Sequence, residues 1–261
     1  RGEMEEKMKK IFFFDIDGTL AIKGVIPKGN IEALKKLKEK GYLVFICTGR
    51  APFYAKNMFK DLVSGYVTCN GRYIIYQDKK LHGEVLSESD LNYYQNKISK
   101  LNCGALFMSD EKAYAFNLNQ KQIEESKKEY GNDKISQQKL DQDFYTFDLF
   151  YQNIKQRDQL IAEFKDDLII NDHGGTGSCD CSTICFDKGS AIAYLLKYFE
   201  ISKDQAYAFG DGYNDQAMFK EAGHCIAMGN AVDVLKEKAT YVTDTIENDG
   251  ILKALYHEKV I

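Results

Sequence analysis

No apolar run in the 261-residue chain approaches the roughly 18 residues of a membrane span. The first ten residues are charged and hold no apolar core of the signal-peptide kind. Membrane insertion and export are therefore not expected, and a cytoplasmic location is. Basic residues are not in excess: 35 Lys and Arg against 39 Asp and Glu leave a net charge of -4, which offers no basic stripe for nucleic acid. The seven cysteines are odd in number, include no Cys-x-x-Cys pair, and lie in a chain large enough not to need staples, which argues for reduced thiols. There is no internal repeat and no low-complexity segment. The chain opens on Arg1, and Met4 or Met8 is the expected natural start.

What is present is ordinary globular material, 44% apolar and 28% charged, enough for one large domain or two modest ones. Residues 11–14 form a short apolar run that fits a strand buried on both faces. Pro27 and Asn30 then introduce a helix with Ile31, Leu34 and Leu37 at helical spacing and Gly41 at its end. A second apolar strand over 42–47 ends in Thr48-Gly49-Arg50. Pro52 suits the first turn of another helix, and Val67-Thr68-Cys69 runs into the turn signal Asn70-Gly71. Strand, helix, strand, helix, strand predicts a parallel sheet with right-handed crossovers.

From about Arg72 the pattern changes. Residues 73–76 and 81–86, separated by Asp78-Lys79-Lys80, read as a hairpin. Helices are expected over 90–101, 121–130 and 153–165, and strands over 105–108, 113–118, 144–151 and 168–170, an α+β segment of mostly antiparallel strands. The α/β alternation resumes from Lys188, with helices over 190–198, 215–221 and 232–238 and strands over 206–209 and 225–227, then a final strand and helix. The expected architecture is α/β: a Rossmann-like parallel-sheet core from 1–80 and 186–261, with an inserted α+β cap at 81–185.

The first strand ends in Asp15-Ile16-Asp17-Gly18-Thr19, and the strand over 206–209 ends in Gly210-Asp211-Gly212-Tyr213-Asn214-Asp215. A buried strand has little reason to finish in acids unless a ligand outside its carboxyl end needs them. If the two strands are neighbours, Asp15, Asp17, Asp211 and Asp215 converge. Like charges so placed call for a cation. All-oxygen ligation is what Mg²⁺ prefers, whereas zinc would want His or Cys. Thr48, Lys188, Asn214 and the backbone N–H groups around Gly18 and Gly49 supply what a phosphate needs, and phosphoryl transfer is largely positioning and charge neutralisation.

Taken in order, Asp15-Ile16-Asp17-Gly18-Thr19, Thr48-Gly49-Arg50, Lys188-Gly189 and Gly210-Asp211-Gly212-Tyr213-Asn214-Asp215 resemble the four motifs of the haloacid dehalogenase (HAD) superfamily of phosphohydrolases. Ala222-Gly223, Ala227-Met228-Gly229-Asn230-Ala231 and Asn248-Asp249-Gly250 resemble its Cof-like branch, which carries a large C2-type (IIB) cap between the second and third motifs. The resemblance implies a Mg²⁺-dependent phosphatase of small phosphorylated metabolites such as sugar phosphates, nucleotides or phosphorylated cofactors, acting as a monomer or homodimer. By the same resemblance Asp15 is the nucleophile and Asp17 the general acid and base. Thr48 and Lys188 hold the phosphoryl oxygens, and the metal rests on Asp15, the Asp17 carbonyl, Asp211 and Asp215. Gly18, Gly49, Arg50, Asn70 and Asn214 are expected around the phosphate.

Rival readings are a phosphomutase or phosphotransferase with the same nucleophile, and a binding protein on a dead enzyme fold, which is disfavoured because no catalytic position is substituted. His173, Cys179, Cys181 and Cys185 form a competing metal set. The period-two spacing of Cys179, Cys181 and Cys185 is better explained by one face of a returning strand. Cys103 and Cys225 read as small core residues, and aromatics such as Tyr93, Tyr94, Phe116, Phe144 and Tyr145 as core of the inserted segment.

Overall fold

The structure, a computed structural model, describes residues 9–261, so the start expected at Met4 or Met8 lies outside it. Two compact units divide the described chain, one made of residues 9–47, Phe59–Gly65 and Lys188–Ile261, the other of Thr48–Met58 and Tyr66–Asp187.

The first unit is built on five parallel strands in the order Tyr241–Val242, His224–Ala227, Ala206–Gly210, Ile11–Phe14, Leu43–Cys47. This is the Rossmann-like sheet expected from the strand–helix alternation. Ile11–Phe14 lies inside the sheet, paired on both sides, and all four of its apolar side chains are fully buried. Its register sets Phe14 beside Phe209 on one neighbour and Ile46 on the other. The rings of Phe12 and Tyr207, and of Phe14 and Phe209, stack with centroids 4.6 Å apart, a geometry that adds to plain area burial.

The helix Lys28–Glu39 buries Ala33, Leu34 and Leu37 and ends where Gly41 enters the left-handed region at φ 78°. There the Gly41 N–H donates to the Lys38 carbonyl and the Tyr42 N–H to that of Leu37, closing the helix as a C-terminal glycine does. Asn30 sits inside the first turn, where its Nδ2 donates to the Leu20 carbonyl at 3.0 Å and ties this helix to the loop after the central strand.

The second unit contains the strand Gly65–Thr68 from Tyr66 onward and a hairpin of Tyr73–Tyr76 with Lys79–Gly83. The hairpin turn is Gln77–Asp78, both in the left-handed region at φ 49° and 60°, so Lys79 and Lys80, expected in the loop, are strand residues. A two-residue turn with both centres left-handed matches the twist of paired strands, and here that geometry outweighs the loop-like charge run.

A six-stranded sheet follows, in the order Leu168–Asp172, Ser178–Thr183, Thr146–Phe150, Gly104–Met108, Ala113–Phe116, Ile135–Ser136. All its pairings are antiparallel except the last. The two-residue strand Ile135–Ser136 is too short to leave a periodic signal and was not expected. One face carries Phe107, Phe147, Leu149, Cys179 and Cys181, packed with Leu91, Tyr94 and Ile98 of the helix Glu88–Lys100 and with Leu160 and Phe164 of the helix Ile154–Phe164. The other carries Leu106, Met108 and Ala113 with Ile123 of the helix Gln120–Tyr130.

Among the described residues no helix is long and apolar enough to cross a membrane. Truncating one ring of the central stack, Phe209→Ala, is expected to cost about 3–5 kcal/mol, read as a lower urea midpoint with an unchanged slope.

Candidate active site

Beyond Phe14 the chain stays beside its neighbour for one more residue, the Asp15 N–H donating to the Phe209 carbonyl at 3.1 Å. Asp15 thus stands at the carboxyl end of the central strand, only 9% exposed. The backbone then turns sharply. The Ile16 carbonyl accepts N–H groups from Thr19, Leu20 and Ala21, while Gly18 is left-handed at φ +83°. Asp15 is consequently buried and Asp17, two residues on, is exposed. A Cβ on Gly18 would lie 2.2 Å from Asp211 Oδ2, so glycine serves both the backbone angle and the close approach.

Asp211 and Asp215 come from the end of the adjacent strand and the short 3-10 turn Tyr213–Asp215. Asp215 Oδ2 accepts the N–H groups of Asp211 and Gly212, both at 2.9 Å, which locks that turn. Lys188, the first residue of the helix Lys188–Phe199 and 1% exposed, donates from Nζ to Asp15 Oδ1 and to Asp215 Oδ1, each at 2.8 Å. Burial, then the nearby charge of Asp215, hold the Asp15 carboxyl well above the carboxylate range although Lys188 pulls the other way. Burial and Asp215 likewise push Asp211 up to about 7, opposed by the Thr19 hydroxyl, which donates to Asp211 Oδ1 at 2.7 Å. Burial opposes the charge on Lys188, yet Asp15 and Asp215 outweigh it and hold its pKa well above the lysine range.

One oxygen each of Asp15, Asp211 and Asp215 lies within 4.8 Å of the others. Three carboxylates with one ammonium between them leave negative charge uncompensated in a buried place. An all-oxygen donor set of this kind fits a hard divalent cation. The Asp17 side chain is not part of this group. The site of the first unit therefore brings together Asp15, Gly18, Lys188, Asp211 and Asp215. Asn214 lies in the turn between the last two, its Oδ1 3.1 Å from where a Cβ on Gly212 would be.

Thr48, Gly49, Arg50 and Asn70 belong to the second unit and form a network of their own. The Arg50 N–H donates to Thr48 Oγ1 at 3.0 Å, and the Thr48 carbonyl accepts the Asn70 N–H at 3.0 Å. Asn70, left-handed at φ 51°, donates from Nδ2 to Asp180 Oδ2 at 2.9 Å and to the Cys181 carbonyl at 3.1 Å. Gly49 is packed so closely that a Cβ would lie 2.7 Å from Asp180 Oδ2. The Arg50 guanidinium pairs with Glu129, donates to Tyr130 Oη at 3.2 Å and covers the Tyr54 ring.

Two contributors had no role assigned from sequence. Thr19 touches Asp211 directly, and its position inside the first motif was the available signal. Asn230 donates from Nδ2 to the Gly18 carbonyl at 2.8 Å and accepts the Ile246 N–H. Nothing local to Gly229-Asn230-Ala231 announces that contact. The cysteine set is not a metal centre: among the described residues the only cluster with ligand geometry is Asp15, Asp211 and Asp215, and Cys179 and Cys181 face the apolar core.

The family described as haloacid dehalogenase-like hydrolase matches residues 12–255. Over 94% of this chain and 96% of its own length, the putative phosphatase YkrA of Bacillus subtilis is 27% identical. The 5-amino-6-(5-phospho-D-ribitylamino)uracil phosphatase YcsE of Bacillus subtilis is 28% identical over 95% of each chain. A solved HAD subclass IIB sugar phosphatase superposes with a TM-score of 0.80 at 26% identity, covering 97% of this chain and 100% of its own. The chain belongs to the haloacid dehalogenase-like hydrolases. Within them it is a phosphatase of the Cof-like branch, a phosphoric monoester hydrolase.

Removing the ammonium leaves two buried acids uncompensated. Lys188→Met is expected to lose about 3–5 kcal/mol at neutral pH. Because carboxyls raised in the folded state destabilise it progressively as pH rises above their ordinary range near 4, the deficit should shrink on acidification, as denaturant titrations at pH 5 and pH 8 would show.

Proposed function

We propose that the protein hydrolyses small phosphorylated metabolites with Mg²⁺ and an aspartyl-phosphate intermediate. One observation carries this reading: the Asp15 carboxylate stands at the end of the central strand, 2.8 Å from the Lys188 ammonium and grouped with Asp211 and Asp215. Asp15 attacks phosphorus while the bond to the leaving oxygen breaks, and Asp17 gives that oxygen its proton. Water then attacks the phosphorus, Asp17 takes its proton, and the Asp15–phosphorus bond breaks to release phosphate. Lys188 and Thr48 hold phosphoryl oxygens, with Gly18, Gly49, Arg50, Asn70 and Asn214 around them. Asp15, the Asp17 carbonyl, Asp211 and Asp215 would hold Mg²⁺, which when bound neutralises charge on the phosphoryl group.

The insert over 81–185 acts as the cap that selects substrate and excludes water from the core formed by 1–80 and 186–261. The working form is cytoplasmic, a monomer or homodimer. The named activities of two relatives, on a ribityl phosphate and on sugar phosphates, support a small metabolite phosphate as substrate.

Phosphate release from 4-nitrophenyl phosphate is expected to require Mg²⁺, to cease in EDTA and to be abolished by Asp15→Asn. In Asp17→Asn turnover should fall roughly 10²- to 10⁴-fold, with calorimetric binding of Mg²⁺ and vanadate retained. Undiminished turnover in Asp15→Asn would exclude the covalent route, and phosphoryl rearrangement of sugar phosphates without phosphate release would make the enzyme a mutase.

A further inference from the structure

Among the segments that resemble the Cof-like branch, Ala227-Met228-Gly229-Asn230-Ala231 has no part in the mechanism above, yet within the first unit it touches the loops at both acid-bearing strand ends. The Met228 N–H donates to the Gly210 carbonyl at 3.0 Å, and the Val232 N–H donates to that of Asp211 at 2.9 Å. Between these two bonds, Asn230 donates from Nδ2 to the Gly18 carbonyl at 2.8 Å and accepts the Ile246 N–H on Oδ1 at 3.1 Å. The segment is also fixed from behind. The Gly229 N–H donates to the Asp244 carbonyl at 3.0 Å, and a Cβ on Gly229 would lie 2.8 Å from the Asp244 carbonyl carbon.

The Gly18 carbonyl is the soft point of its turn. Asp15 is anchored by burial, by Lys188 and by its backbone bond to Phe209. Asp17 is exposed and outside the acid cluster, and its direction follows the turn. Within that turn the Ile16 carbonyl is shared by three N–H groups, and the bond from Thr19, at 3.2 Å, is longer than those from Leu20 at 2.9 Å and Ala21 at 2.8 Å. The Gly18–Thr19 peptide is therefore weakly held at its N–H and hinges on a glycine at φ +83°, the residue with the widest torsional freedom. Asn230 holds the other end of that peptide. Asn30 serves the next two carbonyls, its Nδ2 donating to Leu20 at 3.0 Å and to Thr19 at 3.5 Å, while its buried Oδ1 has no partner among the described residues. A buried acceptor left open is costly, so this amide is kept for its donors. Three successive carbonyls, from Gly18 to Leu20, are thus held by two asparagine amides.

We propose that Asn230 is a positioning residue for the acid–base step: by holding the Gly18 carbonyl it fixes the turn that carries Asp17, and with it the direction from which Asp17 protonates the leaving oxygen. This rests on the phosphatase reading above. The effect falls on Asp17 and not on Asp15, because Asp15 precedes the turn and is gripped by Lys188. It is therefore greatest where the leaving group needs a proton and least where it departs as a stable anion. Affinity for the phosphoryl group is supplied by other residues and does not depend on Asn230.

The test compares the wild type, Asn230→Ala and Asn230→Asp; the side chain is exposed, so the fold is expected to survive both changes. With Mg²⁺ present, Asn230→Ala should lower kcat/KM on phenyl phosphate roughly 2- to 10-fold, the worth of one hydrogen bond. On 4-nitrophenyl phosphate, whose phenolate leaves without a proton, the loss should be distinctly smaller, and vanadate affinity should stay at the wild-type value. A loss of equal size on the two substrates, or none on phenyl phosphate, would overturn the proposal. In the metal-free protein, hydrogen–deuterium exchange should quicken over residues 16–21 in both variants but over 246–250 only in Asn230→Ala, because the carboxylate of Asn230→Asp keeps an acceptor for the Ile246 N–H and has no donor for Gly18. Wild-type exchange over 16–21 in Asn230→Asp would make the bond to Ile246 the one that matters and would equally overturn it. A wild type inactive on both aryl phosphates would remove the phosphatase reading and the proposal with it, while the exchange result would still report whether Asn230 holds the turn.

Discussion

The site depends on one ammonium group held between two carboxylates. Asp15, Asp211 and Asp215 are brought together by adjacent strand ends, and burial alone would drive protons onto Asp15 and Asp211. Lys188 reaches Asp15 and Asp215 at 2.8 Å each and keeps that convergence tolerable. Its own position is locally unfavourable. As the first residue of the helix Lys188–Phe199 it stands at the positive end of the helix dipole, where an acid is the better choice. A residue that breaks a local rule while satisfying a distant one is what a working site looks like from the inside.

The acids also illustrate how the backbone divides labour between neighbours. Asp15 and Asp17 would share a side of an extended strand. The turn through Ile16 and left-handed Gly18 ends the extension, so Asp15 stays buried with the cation while Asp17 meets solvent. Gly18 also leaves room for the Asp211 carboxylate, and Asp215 spends one oxygen on two backbone N–H groups of its own turn. Placement is thus held by main-chain geometry, which costs little to maintain once the flanking strands are paired.

The second unit follows a different economy. One face of its six-stranded sheet is an ordinary apolar core, into which Cys179 and Cys181 fit as small hydrophobes. The other carries Asp148 and Asp180 opposite one another in register, with Asn70 donating to Asp180 Oδ2 at 2.9 Å. Like charges directly opposite on a sheet are destabilising, whereas Leu106 and Met108 nearby contribute ordinary apolar burial.

Much of this was legible before any coordinates. The apolar run at Ile11–Phe14, the period of the flanking helices and the acids after two strands specify a parallel sheet with chemistry at its carboxyl ends, because burial on both faces and a ligand outside the sheet leave local marks. The hairpin register, displaced to a Gln77–Asp78 turn, and the short strand Ile135–Ser136 were not legible, since turn torsions and two-residue pairings leave almost no periodic signal. Nor were the contacts of Thr19 with Asp211, Asn230 with the Gly18 carbonyl, or Asp148 with Asp180, which join residues that only strand order and register make neighbours. The sequence by itself determined which residues carry the chemistry and on which strands they sit, because residue type and periodicity are local properties. Tertiary structure alone decided which of them touch, which are buried and which way Asp15 and Asp17 point, because those depend on sheet order and on the torsions of one turn.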